Sequence, residues 1–342
     1  MPRTDLPLEA LRAHRPEVRR PDDFDAFWAD TITAARAAGA GTAPVLAPAD
    51  TPVTGLVVED LTFPGFAGDP VRAWVSRPLA GRDAALPVVV EFLGYGGGRG
   101  RPGERVDWAL AGYVHVVMDT RGQGSGWAGG DTPDPHGSGP RTSGWMTSGI
   151  GSPADHYYRR VYTDAVRLVD AVRTLPGIDP ARIALTGGSQ GGGIAIAAAA
   201  LVEAHVGPIT AVLPDVAFLC DWEGGTDVAV GGPYLELAGY LAVHCDTVDH
   251  VWETASYFDG VNHAAGITAP ALFSVALMDD VVPPRTTFAA FNALGSTGAL
   301  GPDDRQIEVY PYNGHEGGGF RHWERQVAFL RSRGMVGSVQ CS

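Results

Sequence analysis

At 342 residues, 45% of them hydrophobic and only 19% charged, the chain can bury a large core and is globular rather than disordered. Its formal charge of −14 disfavours nucleic acid and anionic membrane surfaces as partners, since both need clustered Lys and Arg; simple solubility accounts for such a charge. Cys220, Cys245 and Cys341 follow no disulfide or metal spacing, no stretch is apolar for long enough to span a bilayer, and the first residues lack the apolar core of a signal peptide, so a soluble cytoplasmic protein is expected.

Residues 1–50 read as a helical extension. Asp22 or Asp23 caps a helix whose apolar face runs Phe24, Phe27, Trp28, Ile32 and Ala35, and Gly39 ends it. Strands follow around 56–63 and 71–77, with Pro64-Gly65 to Asp69-Pro70 as the turn region. From Leu86 the pattern changes. Residues 87–93 and 114–118 are near-continuous apolar runs, the mark of strands buried on both faces of a parallel sheet. Residues 122–153, rich in Gly, Pro and Ser, are too long for a routine connection and read as functional or as an interface element. A helix near 161–175 carries Val161, Ala165, Leu168, Val169 and Val172 on one side and stops at Pro176-Gly177. A short strand over 182–185 and an all-apolar helix over 194–202 come next, then strands at 209–214, 271–278 and 306–312. Residues 220–266, with Trp222, Tyr234, Tyr240, Trp252, Tyr257 and Phe258, read as a small helical cap inserted after the strand carrying Asp215. Strand and helix alternate through residues 51–335, which predicts one α/β domain on a doubly wound, mostly parallel sheet.

The chemistry centres on Gly187-Gly188-Ser189-Gln190-Gly191, a G-x-S-x-G turn between a strand and an alanine-rich helix. Serine between glycines is common in ordinary loops; the strand before and the helix after single this one out. A serine hydroxyl is a poor nucleophile until a base takes its proton. The strand 271–278 ends at Asp279-Asp280, and the strand after it runs into Asn313-Gly314-His315-Glu316-Gly317. The order Ser189, Asp279, His315 therefore supplies a nucleophile, an acid that orients the base, and the base. The plainer alternatives are a solvated turn at Asp279-Asp280 and a loop histidine at 315. The backbone N–H of Gln190 and that of Tyr95, in the loop Gly94-Tyr95-Gly96-Gly97-Gly98, would hold an oxyanion; the alternative for that loop is a flexible glycine linker. His315-Glu316 lacks the second histidine of a zinc-protease helix, because Gly319 stands there, and no metal site is indicated. His115 and His322 fit structural or surface roles.

Gly94-Tyr95 with Gly97-Gly98-Arg99-Gly100, Arg121-Gly122-Gln123-Gly124, Gly188-Ser189-Gln190-Gly191 and His315-Glu316 together resemble carbohydrate esterase family 7, the acetyl xylan esterases and cephalosporin-C deacetylases. The R-G-Q-G, G-x-S-Q-G and H-E trio is that family's signature, and the similarity runs from about residue 5 to 332. The resemblance implies an α/β-hydrolase fold that removes acetyl groups from small acetylated sugars such as xylo-oligosaccharides, or from cephalosporin C, through an acetyl-serine and with no cofactor. It implies a hexamer, a trimer of dimers, whose sites face an internal cavity. It assigns Ser189, Asp279 and His315 as the triad, Tyr95 and Gln190 as oxyanion donors, and a pocket lined by Tyr95, Trp108, Phe218, Pro233 and Val281. Arg121 and Gln123 look structural, the guanidinium tying loop carbonyls together beneath the site. Ala217, where the family often has proline, and the altered stretches 137–147 and 295–304 are departures that bear on substrate preference and subunit contacts. A peptidase or thioesterase on the same fold is the alternative enzyme. A silent binding module would predict loss of Ser, Asp or His, and none is lost.

Overall fold

The computed structural model describes residues 3, 5–79, 85–137, 143–296 and 300–337. The departures at 137–147 and 295–304 include residues 138–142 and 297–299, which lie outside the described residues, as does Cys341. Nine strands form one sheet: β1 (Val45–Pro48), β2 (Leu56–Pro64), β3 (Pro70–Pro78), β4 (Leu86–Phe92), β5 (Val114–Met118), β6 (Ile178–Gly188), β7 (Ala211–Asp215), β8 (Ala271–Ala276) and β9 (Arg305–Tyr310), in the order β1-β2-β3-β5-β4-β6-β7-β8-β9. The pairs β1–β2, β2–β3 and β3–β5 are antiparallel and the rest parallel. From β4 the chain moves one way to β5 and then the other way, past β4, to β6. Ligands bind beyond the carboxyl ends of strands at such a reversal.

The apolar runs lie where the sheet is covered on both faces. Along β4, Val88, Val90 and Phe92 join a core with Trp28, Ile32, Val161 and Ile194, while Val89 faces the other way with Trp108, Tyr113 and Leu330. Helices Phe24–Ala38, Tyr157–Val172 and Gln190–His205 pack on the first side and helix Gly319–Ser332 on the second.

Residues 1–50 are more than a helical extension. Phe24, Trp28 and Ile32 are buried in the main core, each side chain stabilising the fold by roughly 1.5–3 kcal/mol. β1 then adds an edge strand to β2. Val45-Leu46-Ala47-Pro48 is mostly exposed and has no apolar alternation, so pairing with the free edge of β2 makes it a strand. Between β7 and β8 the chain runs through helices Trp222–Val228, Tyr234–Val243, Val248–Ser256 and Gly260–Ala264. The neck of this segment is closed by Asp259, whose carboxylate accepts from the backbone N–H groups of Asp221, Trp222 and Val261 at 2.8–2.9 Å.

Candidate active site

β6 ends in a turn that puts Ser189 at φ 56°, ψ −120°, a conformation costly for any residue with a Cβ. Two main-chain bonds hold it there: Ser189 N–H donates to Asp215 O at 2.9 Å, and Phe218 N–H donates to Ser189 O at 3.0 Å. The glycines two residues to either side are steric requirements. A Cβ on Gly187 would sit 2.4 Å from the Gly191 carbonyl carbon, and one on Gly191 would sit 2.1 Å from Phe92 O. Gln190 opens the helix behind Ser189, so the first N–H groups of that helix are aimed past the hydroxyl.

Asp279 follows β8 and His315 follows β9. Their loops are tied together by Leu277 N–H to Tyr310 O at 3.0 Å and Met278 N–H to Asn313 O at 3.1 Å. His315 Nδ1 lies 2.9 Å from Asp279 Oδ2, and Asp279 Oδ1 accepts from Val281 and Val282 N–H, both at 2.9 Å. The buried carboxylate is thus fully engaged, and the imidazole presents Nε2 outward. Ser189 and His315 line the same cavity of about 660 Å³, without a hydrogen bond between them among the described residues. Such bonds often form only once substrate is bound.

Between β4 and Ser189 runs a buried amide network. Gln123 Oε1 accepts from Gly96 N–H at 2.7 Å, Gln123 Nε2 donates to Gln190 Oε1 at 2.8 Å, and Gln190 Nε2 donates to Leu93 O at 3.1 Å. Tyr158 OH also donates to Gln190 Oε1, at 2.9 Å. The loop carrying Tyr95 is therefore registered against the residue after the serine. The Tyr95 and Gln190 N–H groups themselves donate to nothing among the described residues. Two free amides beside a serine hydroxyl can receive a developing oxyanion. Arg121 differs from expectation: its guanidinium binds carboxylates, Asp164 at 2.6 and 2.8 Å, Asp69 at 3.1 Å and Asp134 at 3.4 Å, not loop carbonyls.

Tyr95, Pro233 and Val281 stand on the cavity wall with Ser189 and His315. Trp108 does not, and that expectation is corrected. It is buried against Tyr113 and Trp323 on the other face of the sheet, because its short helix, Asp107–Leu110, lies in the core beneath helix Gly319–Ser332. Phe218 is fully buried, edge-on to Tyr95 at 6.1 Å and to Tyr234 at 4.6 Å; it stands behind Tyr95 and not on the wall.

Trp127 and Glu236 are among the wall residues that were not anticipated. Trp127 lies half exposed in the long irregular segment, inside the glycine-rich run that follows Arg121. Glu236, on the cap helix Tyr234–Val243, accepts from Tyr95 OH at 2.7 Å, from Gly144 N–H at 3.0 Å and from Met146 N–H at 3.3 Å. Burial first, and then the Glu236 carboxylate, push the Tyr95 phenol far above its ordinary range, so it remains a neutral donor. No grouping of His, Cys, Asp and Glu among the described residues suits a metal ion, and no helix among them is long and apolar enough to cross a membrane.

The sequence profile of the acetyl xylan esterase (AXE1) family matches residues 1–333. The acetyl xylan esterase from Paenibacillus sp. R4 is 35% identical and superposes with a TM-score of 0.82, covering 96% of this chain and 99% of that one. Acetyl xylan esterase 1 from Thermoanaerobacterium sp. JW/SL YS485 is 29% identical, also at a TM-score of 0.82, over 95% of this chain and 99% of that one. The acetyl esterase Axe7A of Xylanibacter ruminicola is 25% identical over 295 residues; the match takes in 82% of this chain and spans only 62% of that protein's length.

Proposed function

The chain belongs to the acetyl xylan esterase family, within the α/β-hydrolase fold, and from that premise we propose that it is a serine carboxylesterase releasing acetate from small acetylated sugars such as xylo-oligosaccharides. The observation that carries this is Ser189, strained at the elbow and facing one cavity with a histidine that Asp279 orients. His315 Nε2 takes the Ser189 proton as Oγ attacks the acetyl carbonyl. The oxyanion is held by the Tyr95 and Gln190 N–H groups. His315 then gives its proton to the departing sugar oxygen, leaving acetyl-serine. Water, deprotonated by the same ring, attacks that ester and releases acetate. Tyr95, Pro233 and Val281 crowd the carbonyl and favour a short acyl group. A cephalosporin-type acetate presents the same reacting atoms and belongs to the same proposal. A closed hexamer is also part of it, supported by the resemblance and by the exposed Val230, Leu235 and Val243 of the cap.

The test is Ser189→Ala. Alanine inherits the same backbone strain, so stability should barely change, while hydrolysis of acetylated xylobiose and fluorophosphonate labelling should vanish. Wild-type rates should fall steeply from acetate to butyrate esters of one alcohol. Substantial turnover by Ser189→Ala, or equal rates on butyrate, would overturn the assignment.

A further inference from the structure

We propose that Trp127 is the platform on which the ring of the leaving sugar stacks, which makes it a specificity-determining residue; this rests on the esterase reading of the Ser189 cavity. Single hydrophobic residues on a surface need no explanation. Trp127 differs in being 54% exposed on the wall of the catalytic cavity and yet clamped. Its Nε1–H donates to Tyr95 O at 3.0 Å. Its Cζ2 lies only 2.0 Å from where a Cβ on residue 97 would be, so Gly97 clears the ground for the ring. The Arg105 guanidinium, itself paired with Glu91, stands over the indole at 5.6 Å from its centroid. A ring held at three places has little freedom left to lose when a ligand stacks on it.

A pyranose carries axial C–H groups on its faces and hydroxyls around its rim. A flat indole matches the first. The second would meet the polar wall residues Ser143, Glu236 and Glu316. An aliphatic acetate has no ring to stack, so Trp127 discriminates by the alcohol part of the ester while Tyr95 and Val281 discriminate by the acyl part.

Because the indole also braces the Tyr95 carbonyl, the test must separate stacking from support. Trp127→Phe and Trp127→Leu both lose the N–H donor, but only phenylalanine keeps a flat face. With acetylated xylobiose, the leucine variant should lose about tenfold in kcat/KM, carried mainly by KM, and the phenylalanine variant much less, as expected of one aromatic stacking contact. With ethyl acetate the two variants should be equal. Calorimetry of deacetylated xylotriose on Ser189→Ala, with and without Trp127→Leu, should show the same loss of binding without any turnover. Equal behaviour of the two variants on the sugar ester, or unchanged xylotriose binding, overturns the platform. A wild-type enzyme that cleaves ethyl acetate but no acetylated xylobiose overturns the sugar reading itself.

Discussion

Two adjacent carboxylates follow β8, and only one of them reaches His315. Successive side chains leaving a strand point to opposite sides, which the sequence already implies. Asp279 is buried with its two oxygens divided between different partners: Oδ1 for Val281 and Val282 N–H, Oδ2 for His315 Nδ1. Asp280 is partly exposed and accepts nothing among the described residues. That division dictates how an asparagine at 279 would sit. Its oxygen would stay with the two main-chain donors, so its NH₂ would face His315 Nδ1. The ring would then be forced into the tautomer with the proton on Nε2, where it cannot accept one from Ser189. Asp279→Asn should therefore cost on the order of 10⁴ in kcat, judging from serine proteases, with little change in KM. Asp280→Asn should stay within about twofold, a turn carboxylate in water having little to lose. Kinetics of both variants at one pH decide it; a dead Asp280→Asn beside an active Asp279→Asn would shift the acid by one residue.

At the scale of elements, helix Tyr234–Val243 is latched to the loop carrying Tyr95 by the contact between Glu236 and Tyr95. A glutamine at 236 keeps the shape but not the acceptors. Gly144 N–H points at Oε1 and Met146 N–H at Oε2, so the amide nitrogen opposes a donor whichever way it turns. Glu236→Gln should lower stability by about 1–3 kcal/mol and reduce kcat with KM less affected. The double variant with Tyr95→Phe should cost less than the sum of the two singles, because they remove one shared bond. Additive losses in urea unfolding would break the latch argument. This latch was not legible in the sequence. A lone carboxylate in Tyr234-Leu235-Glu236-Leu237 looks like the solvent side of a helix, and its tyrosine partner is 141 residues away. Strands β4, β5 and β8 were legible because burial on both faces leaves a nearly unbroken apolar run, whereas β1 is a strand only by virtue of its partner. The placement of Ser189, Asp279 and His315 was legible because each follows the end of a strand, β6, β8 and β9. Trp108 was misplaced because an aromatic residue carries no sign of which sheet face it covers. The partners of Arg121 come from three separate segments, which no local pattern reveals.

The molecule as a whole should be acid-sensitive in a way that follows from two buried histidines. His156 caps helix Tyr157–Val172: Nδ1 accepts from Tyr158 N–H at 3.2 Å, Nε2–H donates to Met146 O at 3.2 Å, and the ring stacks on Phe258 at 4.4 Å. Both nitrogens are used by the neutral ring, and a second proton would oppose Tyr158 N–H. Burial pushes His156 down to about 3, and His263, packed against Trp28 and Tyr162, likewise to about 3. A histidine whose folded value is depressed contributes stability that is complete above its unfolded value of about 6.5 and lost as pH falls towards 3, since the unfolded chain then binds the extra proton. Each histidine thus removes up to about 1.4 kcal/mol per pH unit below that point. Asp259 works against this in the same window. Burial and the neighbouring Asp221 raise it to about 7, so its contribution is complete at low pH and lost as pH rises through that value. The total slope therefore mixes signs, and a comparison between variants isolates one group. Asparagine at 156 accepts from Tyr158 N–H as a good helix cap does, but does not titrate. His156→Asn should be less stable at pH 7.5, having lost the Phe258 stack. Between pH 6.5 and 5 its stability should fall less steeply than that of the wild type, by a margin that grows to about 1.4 kcal/mol per unit. Urea unfolding at several pH values reads both quantities, and parallel profiles for the two proteins would show that His156 takes up its proton in the folded state as easily as in the unfolded chain.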